Sequence, residues 1–418
     1  MTTSTSTAAT PPPGTSTPER ITYARATHGP AEIAAVNEVL NRGPQGLRIG
    51  AAVNGMETRV PALSGKRYGV MTNSGSSGLY VAVDLLGLEP GDEIITSPLT
   101  FSTDVAPIVR AGLVPVFVDV VPDTVNIDTE KIEEAIGPRT RAILVPNLAG
   151  NAPDWDRIRQ IADAHGLAVI EDTCDALGAT LRGTPTGARA DLSVTSFSMA
   201  HIITCAGTGG MVMMDSADER DRALLLRRWG RRSEPHLFGD RGTGRVFRED
   251  LDGVPYDNDF IFDDVLAWNF EPSELGAAYG LVQLDKLAAN YARRKEIFAR
   301  FTEAYAQFPD FFTTPRQTAE LDTAWLCYPV LVNEDAPFSR SDLQESLEAA
   351  GIDTRTVWSG NITRHPMMSK VAYRAPEDGL PGADAVFARG MTLGMSHGLE
   401  DRHVDRIAEA IADFAKER

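Results

Sequence analysis

The chain has 418 residues, 43% of them hydrophobic and 23% charged, with a formal net charge of −18. That supplies apolar material for more than one ordinary domain core, while the clustered Lys and Arg needed to wrap nucleic acid or lie on an anionic membrane are lacking. No stretch approaches the roughly 18 apolar residues of a membrane span, and the first residues lack a basic region followed by an apolar run. A cytoplasmic globular protein acting on a small molecule is expected.

Residues 1–20 are Thr, Ser and Pro with almost no apolar side chain, and read as a disordered tail. From there the apolar runs EIITSP, VPVFVDV, RAILVPN and LAVIED alternate with helix-like segments, which predicts a largely parallel sheet of an α/β fold in a large domain, residues 21–285. Within it, residues 231–264 are charged, Gly-rich and aperiodic, and read as a long loop over a site. The continuous helical spacing of ELGAAYGLVQLDKLAANYARRKEIFARFTEAYAQF follows. Then come strand-like AWLCYPVLV, helix-like RSDLQESLEAA and a terminal helix, giving a smaller C-terminal α/β domain over 286–418.

In NSGSSGL, Gly and Ser stand between the strand-like YGVMT and the helix-like LYVAVDLLG. Free N–H groups at a helix start and the helix dipole suit a phosphate there, and Gly75 permits close backbone approach. A serine cap without a ligand explains the motif as well. LAVIEDTCDALGA places Glu171 and Asp172 at the end of a buried run, where open α/β sheets present ligand-binding groups. Cys174, Cys205 and Cys327 are too few and too scattered for a disulfide framework or zinc motif, and no histidine pair has metal-binding helical spacing. No metal site is expected.

The order of a phosphate loop, SPLTFSTD, EDTCDALGA and SFSMAHIITCAGTGG resembles the DegT/DnrJ/StrS family of sugar aminotransferases, of fold type I. VPVFVDV, NLAGNAPDWDRI, AWNFEPSELGAAYGLVQL and WSGNITRHP extend the likeness over nearly the whole chain after the tail. The resemblance implies a large domain around a seven-stranded sheet and a pyridoxal 5′-phosphate or pyridoxamine 5′-phosphate cofactor. It further implies that Gly75, Ser76, Ser77 and Ser196 hold the phosphate, that Phe101 stacks on the ring, and that Asp172 faces its nitrogen. Asp175 would touch the ring's other side, although a polar turn residue is an equal account of it. Asn269 would reach the phosphate site from the partner subunit of a homodimer.

The signature breaks at one position. Typical members carry a lysine that binds the cofactor covalently where this chain has His201, and no lysine occurs between Lys131 and Lys286. Imidazole forms no such tether, yet it titrates near neutral pH and suits proton transfer. The same exchange marks a subgroup that resembles nucleotide-4-keto-6-deoxyhexose 3-dehydratases of the colitose and CDP-hexose types. The implied substrate is a nucleotide sugar that loses its 3-hydroxyl, with an amino donor such as glutamate restoring the amine cofactor. Arg231, Arg232 and Arg364 are candidates for its diphosphate, and solvated surface arginines otherwise.

The CDP-hexose type carries an iron–sulfur cluster, but here no cysteine lies between Cys205 and Cys327, so none is expected. AGTGG departs from the subgroup's GEGG-like stretch by about one inserted residue near Thr208. Two alternatives stay open: an aminotransferase using a distant amine, and a non-catalytic cofactor-binding homologue.

Overall fold

The structure, a computed structural model, describes residues 19–240 and 246–418. Most of the expected tail and residues 241–245 of the expected loop lie outside the described residues. Seven strands form the central sheet: β1 (Tyr68–Thr72), β2 (Glu93–Thr96), β3 (Val114–Phe117), β4 (Thr140–Pro146), β5 (Ala168–Asp172), β6 (Leu192–Ser196) and β7 (Gly210–Met214). Their spatial order is β1-β7-β6-β5-β4-β2-β3. Only β7 runs against its neighbours, β1 and β6; the other pairings are parallel. This is the mainly parallel α/β sheet that the alternating runs predict.

The runs are apolar throughout because both faces are covered. Successive side chains point to opposite faces, so Ile95, Ile143 and Val169 join Trp155 and Ile158 on one side, while Ile94, Leu144 and Ile170 join Leu79 and Ala82 on the other. Four of the covering helices are α1 (Pro30–Asn41), α2 (Ala51–Arg59), α3 (Gly75–Leu85) and α4 (Ser102–Arg110), followed by α5 (Trp155–His165) and α6 (Ala217–Arg227). Asp154 caps α5 by accepting from the N–H groups of Asp156 and Arg157.

The helical stretch after residue 273 is two helices, α7 (Glu274–Asp285) and α8 (Leu287–Ala306), divided at Lys286, whose ammonium pairs with buried Glu32 of α1. The periodicity runs through the junction because Lys286 itself keeps right-handed helical angles. The Glu274 carboxylate accepts from the N–H groups of Gly50, Ala52 and Val53, which fastens α2 to α7.

A second sheet, β8 (Phe312–Thr313), β9 (Cys327–Val332), β10 (Thr354–Thr356) and β11 (Gly390–Gly394), is antiparallel in the order β8-β9-β11-β10. α8, α9 (Arg340–Ala349) and α11 (Asp401–Lys416) pack around it, with α10 (Pro381–Arg389) between α9 and β11 in the chain. Ile21, near the start of the described chain, bridges to Ile352 and joins this C-terminal core.

The 231–264 segment differs from an aperiodic loop. It holds a short helix, Glu234–Phe238, and a hairpin pairing Glu249–Leu251 with Val254–Tyr256. Asp252 and Gly253 turn that hairpin with φ of 52° and 78°, the Asp-Gly chemistry of a tight turn. Among the described residues no helix is long and apolar enough to cross a membrane.

Candidate active site

The carboxyl ends of the parallel strands open into one cavity of about 660 Å³. β1 leads into Ser74, whose hydroxyl accepts from the Ser77 N–H and starts α3, so Gly75 and Ser76 stand in the first turn at the cavity wall. Gly75 is required by packing: a Cβ there would lie 2.6 Å from the Ser196 Cβ and 3.0 Å from the Cys174 sulfur. β2 leads through Ser97 to Phe101, the residue preceding α4, which is 57% exposed and lines the cavity. β5 ends at Asp172 and β6 at Ser196, both buried.

Asp172 and its neighbour Glu171 point to opposite sides of the sheet. Glu171 is consumed by structure, accepting from Asn147 Nδ2 and the Ser193 hydroxyl, each at 2.7 Å. Asp172 lines the cavity and accepts from the Cys174 N–H at 2.9 Å. Among the described residues no lysine or arginine pairs with Asp172, although burial pushes its acidity toward the neutral form. A buried carboxylate without a cation is costly, and this one faces a cavity that a cationic guest can enter.

His201 lies in the turn between β6 and β7. Its Nδ1 meets the Ser198 hydroxyl at 3.2 Å, and its Nε2 is 3.6 Å from Asp175 Oδ1, too long for a hydrogen bond and near enough for electrostatic coupling. Asp175 Oδ2 accepts from the Ala149 N–H at 3.0 Å. Burial drives both groups toward neutrality. It lowers His201 to about 4, helped by the charge of Arg294, and raises Asp175 to about 8, helped by Asp172. His201 is therefore an unprotonated imidazole at neutral pH. The turn that follows, around Thr208, carries Ala206 at φ 55°, Gly207 at 97° and Gly209 at 131°.

The cavity brings together Gly75, Ser76, Phe101, Asp172, Asp175, Ser196 and His201. Ser77 lies behind this wall, its hydroxyl donating to Asn73 Oδ1 at 2.6 Å. Asn269 is exposed, outside the lining, and bridges to Arg228. Arg232 is held by Glu249 and Asp263, Arg364 by Asp384, and Arg231 lies over the Trp229 ring at 4.2 Å. None of the three lines the cavity.

Arg355, Trp358 and His365 do line it, together with Asp104. Asp104 stood three residues after Phe101 in a helix start, a readable signal; Trp358 opens the WSGNITRHP segment that carries the family likeness but was not singled out, and Arg355 arrives from the second sheet with no signal. Trp358 has φ 40°, a left-handed conformation that bulky residues rarely adopt. No lysine lines the cavity, and Lys66, Lys286 and Lys295 are in ion pairs with Asp215, Glu32 and Asp322. Among the described residues no group of three or more His, Cys, Asp or Glu side chains is arranged to hold a metal ion. The site suits a guest with an anionic end at the start of α3 and a cationic ring at Asp172.

The profile of the DegT/DnrJ/EryC1/StrS aminotransferase family matches residues 27–412. A dTDP-4-dehydro-2,6-dideoxy-D-glucose 3-dehydratase from Saccharopolyspora spinosa is 37% identical over 380 residues, covering 88% of this chain and 81% of that protein. The E. coli GDP-4-keto-6-deoxy-D-mannose-3-dehydratase with bound hydrated PLP has a TM-score of 0.83 at 26% identity, covering 94% of this chain and 100% of that one. A GDP-4-keto-6-deoxymannose-3-dehydratase with a trapped PLP-glutamate geminal diamine has a TM-score of 0.83 at 25% identity, with the same coverage.

Proposed function

We propose, from the premise that the chain belongs to the DegT/DnrJ/EryC1/StrS aminotransferase family, that it is a pyridoxamine-dependent dehydratase replacing the 3-hydroxyl of a nucleotide-linked 4-keto-6-deoxyhexose by hydrogen. The observation that carries this reading is His201, an imidazole free to accept a proton, standing in a cavity that no lysine lines.

Gly75 and Ser76 hold the cofactor phosphate with the first-turn N–H groups of α3 and with the Ser196 hydroxyl. Phe101 covers the ring, and Asp172 holds the ring nitrogen protonated. In its amine form the cofactor supplies a primary amine for the sugar ketone and a ring that accepts electrons. His201 takes a proton at an imidazole nitrogen and, once charged, is the acid that meets the departing 3-hydroxyl. Asp175, 3.6 Å away, becomes the counter-charge to that imidazolium when it loses its own proton.

Arg355 at the rim, whose guanidinium lies over the Tyr23 ring, meets the diphosphate. Asn269 completes the phosphate site of a second copy, so the working unit is a homodimer. Glutamate is the amino donor, and overall the sugar loses one oxygen while glutamate becomes 2-oxoglutarate and ammonia. With no cysteine between Cys205 and Cys327, the proposed chemistry uses no iron–sulfur cluster.

Borohydride treatment of the pyridoxal-phosphate-loaded protein tests the central assignment. The expected result is cofactor that washes away; label fixed to a lysine would establish the aminotransferase chemistry of a distant amine instead.

A further inference from the structure

Asp104 has no role in the reading above, yet it is among the least exposed carboxyls of the molecule at 1% and lines the same cavity as Asp172. It stands in the first turn of α4, where its Oδ2 accepts from the Thr100 hydroxyl. Its Oδ1 is sealed from solvent without a donor of its own. The Asp172 carboxyl is buried in the wall of the same cavity, and each of the two carboxyls bears on the proton affinity of the other.

Two ionised carboxylates cannot bond to each other, because both only accept; such a pair is joined only by a proton kept on one of them. A buried pair with a single proton carries one negative charge instead of two. The surroundings decide which member keeps it. Asp172 already receives the Cys174 N–H, which favours its anion. Asp104 is the more enclosed, and burial with the neighbouring Asp172 charge pushes it far toward the neutral acid. The other titratable groups around the pair are Cys174 and Asp175 after β5, with His201 and Arg294 acting through Asp175.

We propose that Asp104 is a positioning residue that keeps this proton on its own carboxyl, donates a hydrogen bond through it to Asp172, and so keeps Asp172 anionic and turned toward the cationic ring nitrogen of the cofactor. The inference rests on the role assigned to Asp172 above. It makes Asp104 part of the device that sets the protonation of the ring, without touching the substrate.

Pyridoxal phosphate is titrated into cofactor-free protein between about pH 5 and 8, with no sugar present, and its affinity is followed by absorbance. Affinity should fall on the acid side as Asp172 takes up a proton. Asp104→Leu removes the donor at similar volume, so Asp172 is harder to keep ionised. Binding should weaken about tenfold at neutral pH and the acid limb should move up by about one pH unit. Asp104→Asn keeps an N–H donor, and its limb should stay at or below that of the parent.

A parent-like Asp104→Leu protein, or an upward-moving limb in Asp104→Asn, overturns the proposal. Should the leucine protein not fold, the asparagine limb decides alone. Asp172→Asn separates the layers. If it binds cofactor as the parent does, the Asp172 assignment fails and takes this one with it; if it weakens binding while Asp104→Leu does not, only the role of Asp104 is lost.

Discussion

The cavity floor and the 228–268 segment are both rich in charge, but they use it in opposite ways. In the segment, Arg228 pairs with Glu234 and Glu271, and Arg232 with Glu249 and Asp263, while Phe260, Phe262 and Leu266 are left exposed. On the floor, among the described residues, Asp172 has no cation and His201 only a carboxyl 3.6 Å away. Charges that are matched hold architecture; charges buried without a match mark the place where a ligand supplies the counter-charge.

The largest effect should come from His201→Asn. The asparagine keeps a polar side chain but has no basic nitrogen to take up a proton, so dehydration should fall at least about a hundredfold, while absorbance titration shows cofactor still bound. Retention of the parent rate would put the proton elsewhere and erase the distinction drawn for the floor.

Next is Arg355→Ala, the cavity's own arginine. Loss of a charged contact to the diphosphate should raise KM about tenfold with kcat little changed. A fall in kcat at constant KM would move Arg355 from binding into the chemistry.

The protonation of the floor gives a stability signature of a few kcal/mol. The unfolded chain protonates His201 below its ordinary pKa of about 6.5, and the native protein refuses that proton down to about 4, so acidification through this window costs stability. Asp175 has the opposite sign. Its native carboxyl keeps a proton up to about 8 that the unfolded chain has already released, so stability declines as pH rises toward 8. His201→Asn deletes only the first slope. Urea unfolding should show this variant gaining on the parent by roughly 2–3 kcal/mol between pH 6.5 and 4; a constant difference would mean that His201 titrates as if exposed.

The smallest change is expected from Arg364→Ala. Its partner Asp384 and the guanidinium are both substantially exposed, and such pairs contribute about 0–1 kcal/mol. Thermal unfolding should barely move, and KM should stay near the parent value. A KM shift matching that of Arg355→Ala would show that Arg364 exchanges Asp384 for substrate.

The strands were legible because a covered parallel sheet needs unbroken apolar runs, and the site residues at their ends were legible with them. Gly75 and Asp172 are fixed at the carboxyl ends of strands that sequence spacing records, and Ser196, at the end of the next strand, was reached through the family resemblance. Arg355 was not legible, since it depends on how the second sheet packs over the first, and Trp358 was visible only as the first residue of the WSGNITRHP likeness. The arginines of 231–232 and 364 were visible as charges, but their partners Glu249, Asp263 and Asp384 are brought to them only by the fold. The hairpin at 249–256 was readable in its Asp-Gly turn, though hidden within a stretch whose lack of period suggested a loop.

The most direct test is the product itself. Protein loaded with pyridoxamine phosphate is incubated with glutamate and a panel of nucleotide-linked 4-keto-6-deoxyhexoses, and the nucleotide sugar is weighed by mass spectrometry while ammonia and 2-oxoglutarate are counted. The account predicts a sugar lighter by one oxygen, with ammonia and 2-oxoglutarate in equal amount. An amino sugar that keeps its 3-hydroxyl, with no free ammonia, would contradict it.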